Sequence, residues 1–163
     1  MTPLKLKFIT TGGTIDKIYF DAKSEYEVGP PQISEILKEA RTTFEVEVES
    51  VLSKDSLDLT DDDRRLIRHK IEAEPGARIV VTHGTDTMIQ TARMLQGIPG
   101  KTIVLTGSMQ PARFKATDAA FNVGVAIGAV QVLPPGVYIA MSGQIFHPEA
   151  TRKNVAESRF EAT

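Results

Sequence analysis

The chain has 163 residues, a formal net charge of −2, 41% hydrophobic and 25% charged residues, and no cysteine. That length suits one domain able to bury its own core. The lack of cysteine excludes disulfides, thiol nucleophiles and Cys-ligated zinc or iron–sulfur centres. The three histidines (His69, His83, His147) are too scattered for a compact metal motif, and the balanced charge argues against a nucleic-acid binder.

Taken in chain order, the elements alternate strand and helix. Leu4–Thr10 alternates as a strand, unlike a secretory leader, and no segment approaches the roughly 20 apolar residues of a membrane helix. A cytoplasmic protein without membrane association is therefore expected. The strand runs into Thr11-Gly12-Gly13-Thr14, where two glycines permit a tight turn. Lys17–Gly29 reads as a mobile polar loop. Pro30 and Pro31 open a helix with Ile33, Ile36, Leu37 and Ala40 on one face. Phe44–Val48 alternates apolar with acidic residues, as a strand near a sheet edge does.

Thr60–Ala73 is a second helix, with Thr60 and Asp63 spaced as a capping box. Ile79–Thr82, Ile103–Thr106 and Val137–Met141 are short β-branched runs typical of central parallel strands. Thr87–Leu95 and Thr117–Leu133 are helices. Thr117 is the expected N-cap of the latter, whose Ala119, Ala120, Gly124, Ala126, Gly128 and Ala129 suit close packing on the sheet. From Gln144 onward the pattern reads as a polar tail with one or two short elements at most. The alternation predicts an α/β fold: a three-layer, doubly wound, mainly parallel sheet with helices on both faces and right-handed crossovers.

In such sheets ligands bind beyond the carboxyl ends of the strands. The loops there are Thr11–Thr14, Ser53–Thr60, His83–Thr87, Gly107–Lys115 and Gly143–Asn154. Two carry hydroxyl clusters: Thr11-Gly12-Gly13-Thr14 and Thr82-His83-Gly84-Thr85-Asp86-Thr87. Singly, each also reads as a turn or a helix cap. Neither completes a dinucleotide or P-loop fingerprint, so nucleotide binding is a weak third option. Together they offer a threonine nucleophile that needs a base, a lysine or tyrosinate to serve as that base, Asp86 to orient a lysine or hold an ammonium, and backbone N–H groups around Gly13, Thr14 and Thr85 for an oxyanion. These parts fit acyl transfer from a small polar substrate. His83 reads as structural, His69 as a residue of a solvated helix face, and Met88, Met94 and Met109 as packing residues.

Thr10-Thr11-Gly12-Gly13-Thr14-Ile15 and Thr82-His83-Gly84-Thr85-Asp86-Thr87-Met88 resemble the two signatures of bacterial-type L-asparaginases and related amidohydrolases. Leu105–Pro111 and Asp118–Asn122 resemble further segments of that family. Lys54-Asp55-Ser56-Leu57 resembles the substrate loop of its cytoplasmic subgroup. The resemblance implies Thr14 as primary nucleophile, Tyr26 as the lid tyrosine, and Asp55 and Ser56, with Gly13 and Gly84, at the substrate. It also implies a triad of Thr85, Lys153 and Asp86, with Arg152 the alternative by a one-residue shift. The implied reaction is cofactor-free and metal-free hydrolysis of L-asparagine, with L-glutamine as the alternative substrate.

The family usually continues into a second domain, which in a neighbouring subunit supplies an acidic group to the site. This chain is expected to be a single catalytic domain spanning residues 1–163 and to form a homo-oligomer, a dimer or tetramer. A non-catalytic amino-acid-binding module and an ammonia-supplying glutaminase-type subunit remain as alternatives.

Overall fold

The computed structural model describes residues 2–163. In chain order the elements are β1 (Lys5–Gly12), β2 (Lys17–Phe20), β3 (Glu25–Val28), α1 (Ile33–Glu39), β4 (Glu45–Lys54), α2 (Asp61–Ala73) and β5 (Arg78–Thr82). There follow α3 (Met88–Met94), β6 (Thr102–Thr106), α4 (Ala119–Val132), β7 (Gly136–Met141), β8 (Gln144–Phe146), β9 (Thr151–Asn154) and β10 (Arg159–Ala162). Six strands form one sheet in the order β4-β1-β5-β6-β7-β8. The first five run parallel, and β8 closes the edge antiparallel to β7.

Because side chains alternate along a strand, the sheet has two apolar faces. Ile9, Val81, Ile103 and Leu105 meet Ile67 and Ile71 of α2 and Met88 and Ala92 of α3 on one side. Leu6, Phe8, Val80 and Val104 meet Ile33 and Leu37 of α1 and Val123, Ala126 and Val130 of α4 on the other. This is the three-layer, doubly wound α/β architecture that the alternating pattern predicts.

One connection departs from expectation. The chain steps from β1 out to β4 through α1 on one face, then returns to β5 through α2 and on to β6 through α3 on the opposite face. Those three connections share one hand. The step from β6 to β7 continues in the same direction as β5 to β6, yet α4 lies on the α1 face. With right-handed crossovers the rule, β6–α4–β7 is a left-handed exception. The long segment after β6 makes it possible by carrying the chain over the carboxyl edge of the sheet.

The segment 17–29, expected as a loop, is an antiparallel hairpin. Lys17 to Phe20 pair with Val28 to Glu25, and the directly opposed Tyr19 and Tyr26 rings stack edge to face at 5.3 Å. That cross-strand aromatic pair stabilises a stretch whose charged composition suggests a loop. The tail is likewise more ordered than its polarity suggests. Beyond β8, β9 and β10 form a second hairpin, anchored by Phe160, which is buried in the core. The strand expected at Phe44–Val48 extends to Lys54 as β4 and lies at the sheet edge as its alternation predicts. Its acidic face meets the buried Lys7 ammonium, with Glu47 at 2.7 Å, Glu49 at 3.1 Å and, from beyond α2, Glu74 at 3.3 Å. Burial opposes charge on Lys7, but the three carboxylates outweigh it and raise its pKa.

The Thr60–Asp63 capping box forms in both directions. Thr117 accepts the Ala119 N–H at 3.1 Å, while Asp118 occupies the N-cap position of α4. Of α4's small residues, Ala119, Ala126 and Ala129 face the sheet. Ala120, Gly124 and Gly128 lie on the outer face, contrary to expectation. No helix among the described residues is long and apolar enough to cross a membrane.

Candidate active site

Three strand-end loops converge because glycine lets their backbones touch. Gly12 pairs with Lys54, and the Gly13 N–H donates to the Lys54 carbonyl at 2.9 Å. A Cβ on Gly13 would lie 2.4 Å from the Gly84 nitrogen. One on Gly84 would lie 2.6 Å from both Cβ and Oγ of Ser56. Gly13 also has φ +86°, which side-chain-bearing residues rarely adopt. The turn after β1, the loop after β4 and the loop after β5 are thus pressed together. The segments that carry Thr14, Ser56 and Thr85 are therefore neighbours.

Lys153 enters this site from β9. Its Nζ donates to Thr85 Oγ1 at 2.8 Å and to Asp86 Oδ1 at 2.7 Å. Arg152, one residue earlier in β9, pairs instead with Glu161 across the hairpin. Alternation along a strand explains the difference, since neighbouring residues point to opposite faces. The register is fixed by pairing of Lys153 with Phe160. The Phe160 N–H in turn donates to Ser142 Oγ at 2.9 Å.

Behind the Thr85 loop runs a buried polar relay. His83, fully buried, holds the Gly84 carbonyl at 2.6 Å through Nδ1, and Nε2 lies 2.8 Å from Thr91 Oγ1. A carbonyl can only accept, so Nδ1 carries the proton and Nε2 accepts from the Thr91 hydroxyl. That hydroxyl accepts from Arg64 Nε at 3.1 Å. Burial, reinforced by the Arg64 guanidinium, lowers the His83 pKa to about 4 and keeps the ring neutral. The Gly84 carbonyl is therefore turned toward His83. In a trans peptide, the Thr85 N–H points the opposite way.

The substrate-loop residues behave differently from one another. Ser56 is buried and ties two loops together: its Oγ accepts from the Thr87 N–H at 3.3 Å, and its carbonyl accepts from the Thr87 hydroxyl at 2.8 Å. Asp55 faces a cavity of about 400 Å³ that Lys17, Tyr26 and Asp58 also line. Its Oδ1 accepts the Leu57 N–H at 3.0 Å, and its Oδ2 lies 3.2 Å from Lys17 Nζ. Burial pushes its carboxyl up, but the Leu57 N–H and the Lys17 ammonium outweigh this and hold it below the usual carboxylate range.

Tyr26 stands half exposed on the hairpin, stacked edge to face on Tyr19 and Phe114 at 5.3 Å each. Lys17 and the His83–Thr91–Arg64 relay are absent from the sequence-based set of site residues. The position of Lys17 directly after the Thr14–Asp16 turn was the available signal for it. Among the described residues, no three His, Asp or Glu side chains gather as metal ligands would.

Known proteins extend this picture. Residues 5–162 match the family described as "Asparaginase, N-terminal". An L-asparaginase of Thermococcus kodakarensis is 29% identical over 150 residues, covering 87% of this chain and 45% of that protein. A solved structure of the thermostable L-asparaginase from the same organism superposes with a TM-score of 0.84 at 27% identity, covering 98% of this chain and 51% of that one. A glutamyl-tRNA(Gln) amidotransferase component from Methanococcus vannielii is 40% identical over 79 residues, covering 47% of this chain and 18% of that protein. The chain thus spans less than half the length of these two curated relatives. Over nearly its whole length, it belongs to the asparaginase family and corresponds to that family's N-terminal domain.

Proposed function

We propose that the chain is an asparaginase-type amidohydrolase that converts L-asparagine to L-aspartate and ammonia through a threonine nucleophile. The observation that carries this reading is the Thr85–Lys153–Asp86 cluster, closed at 2.8 and 2.7 Å beside the Thr14 turn. Asp86 orients the Lys153 amine, and the amine, when neutral, draws a proton from a neighbouring hydroxyl or water. Thr14 Oγ1 attacks the side-chain amide carbon and its proton passes to the departing nitrogen, which leaves as ammonia. Water then adds to the acyl-enzyme, and aspartate leaves with Thr14 restored. In both steps, the Thr85 N–H, aimed by the His83 relay, supplies an oxyanion donor. Tyr26 belongs to a hairpin lid over the cavity, with Asp55 and the Ser56 loop at the substrate. The domain works as one catalytic unit of a homo-oligomer, with another surface covering its open side.

The test is ammonia release by purified protein. Thr14→Ala should abolish it with the fold intact by circular dichroism. Lys153→Met should lower kcat by about a thousandfold or more, while Arg152→Met, which loses only the Glu161 pair, should not. Near-normal turnover by Thr14→Ala sinks the assignment.

The amidotransferase relative favours a second reading, an ammonia supplier acting on L-glutamine or a tRNA-linked amide. The net charge of −2 argues against tRNA as a partner. Assays with both amides, and tRNA binding at low salt, separate the two.

A further inference from the structure

Asp16 is a buried carboxyl group that the proposed chemistry leaves unused, and four segments meet at it. Its N–H donates to the Gly13 carbonyl at 3.1 Å, closing the turn that carries Thr14. Its carbonyl accepts the Gly29 N–H at 2.8 Å, and its Oδ1 accepts the Gln32 N–H at 2.9 Å. Lys17, the next residue, pairs with Val28. Both feet of the β2–β3 hairpin therefore rest on one residue. Gln32, itself buried, accepts from Arg113 Nε at 3.1 Å, and the Ala112 N–H donates to the Ile15 carbonyl at 3.1 Å. Phe114, one position further on, carries the ring that stacks on Tyr26. The nucleophile turn, the hairpin, the start of α1 and the loop after β6 are thus joined around Asp16 and Gln32.

The ionised form of Asp16 is poorly provided for. Among the described residues its carboxyl has one hydrogen bond and no cation beside it. The charged groups of the surrounding elements turn to other partners or to solvent: Lys17 to Asp55, Glu27 to Lys23 and Arg113 to Gln32, while Glu35 and Lys115 are exposed. Burial outweighs the Gln32 N–H and raises the Asp16 pKa to about 7. A carboxylate formed here gains most by reaching water, and water reaches it when the Gly29–Gln32 foot lifts.

We propose that Asp16 is a positioning residue: protonated, it clasps the hairpin that carries Tyr26 to the turn that carries Thr14, and ionised, it releases them. The effect on turnover rests on the amidohydrolase reading; the clasp does not. The clasped state binds the proton more tightly than the lifted state. Lifting therefore becomes easier as pH rises from about 4 toward 7, by up to about tenfold per pH unit, and levels off above that.

Amide exchange at Gly29 and Gln32, corrected for the intrinsic rate, reads the lifting directly. In the parent, protection of these two amides should fall by up to about tenfold per pH unit between about pH 5 and 7. It should also be lower than that of amides in the central strands β5 and β6, such as Val80 and Val104. Asp16→Asn keeps an acceptor for Gln32 but cannot ionise, so its protection should not vary with pH. Asp16→Ala lacks the acceptor and should leave both amides weakly protected at every pH. Flat protection in the parent, or parent-like protection in Asp16→Ala, overturns the clasp. So does protection at Gly29 and Gln32 that matches Val80 and Val104 in size and slope, because only global unfolding then frees Asp16.

Turnover supplies the second readout. The ratio of kcat/KM for L-asparagine between Asp16→Asn and the parent cancels every titration the two share. That ratio should rise about threefold or more between about pH 5.5 and 8, and a constant ratio overturns the positioning role. A pH-dependent clasp in a chain that releases no ammonia leaves the clasp standing, and the amidohydrolase reading alone fails. Ammonia release with pH-independent protection in the parent overturns the clasp alone.

Discussion

Two buried titratable residues set opposite pH slopes. Asp16 is almost fully buried, with its Oδ1 accepting the Gln32 N–H at 2.9 Å. Burial outweighs that hydrogen bond and raises its pKa from 3.8 to about 7. The folded chain thus holds a proton that the unfolded chain releases between roughly pH 4 and 7, so this residue's contribution to stability falls as pH rises through that window. His83, lowered from 6.5 to about 4, acts in reverse: the unfolded chain takes up a proton that the folded one refuses, and stability falls as pH drops from 6.5 toward 4. Where the windows overlap the slopes offset. Asp16→Asn keeps an acceptor for Gln32 and removes one slope. Relative to the parent it should gain stability between pH 5 and 7 by up to about 1.4 kcal/mol per pH unit, read from denaturant unfolding at several pH values. Parallel stability curves for parent and variant count against a buried, titrating Asp16.

At the scale of elements, the β9–β10 hairpin delivers the lysine. Its apolar anchor is Phe160, the cross-strand partner of Lys153, and its polar anchor is the Ser142 hydroxyl. Phe160→Ala should cost about 3–5 kcal/mol, as large-to-small changes in a core do. It should also speed amide exchange across Thr151–Ala162 and lower kcat as Lys153 leaves Thr85. Unchanged protection of that segment would show that something other than Phe160 holds the hairpin. The first hairpin differs: its packing is an aromatic stack of the exposed Tyr19 and Tyr26 with the half-buried Phe114. It has few buried contacts to resist local opening, which suits a lid.

At the scale of the whole molecule, the left-handed excursion to α4 leaves a helix that is apolar on both sides. Its inner side packs on the sheet, while Ala120, Phe121, Gly124, Gly128 and Val132 form an exposed strip. Phe121 is 63% and Val132 80% exposed. An open strand-end crevice and an uncovered apolar strip both favour self-association with closed symmetry. Light scattering at micromolar concentration should give a dimer or tetramer mass, and a monomer mass counts against the homo-oligomer.

Period and punctuation alone determined the sheet, its five parallel strands and the edge position of β4. A buried parallel strand must be an apolar run, and an edge strand alternates. The glycine-flanked threonine loops were legible for the same local reason, since only such turns let backbones approach closely. Other features depended on contacts between residues far apart in sequence. The Lys17–Asp55 pair spans 38 positions, and Lys153 meets Thr85 across 68. No periodicity encodes such partners. Composition made segment 17–29 and the tail look like loops because their order comes from cross-strand rings and one buried phenylalanine. The side of the sheet that α4 occupies was equally hidden. A helix apolar all round fits either face, and only the path of the chain over the carboxyl edge decided which it covers.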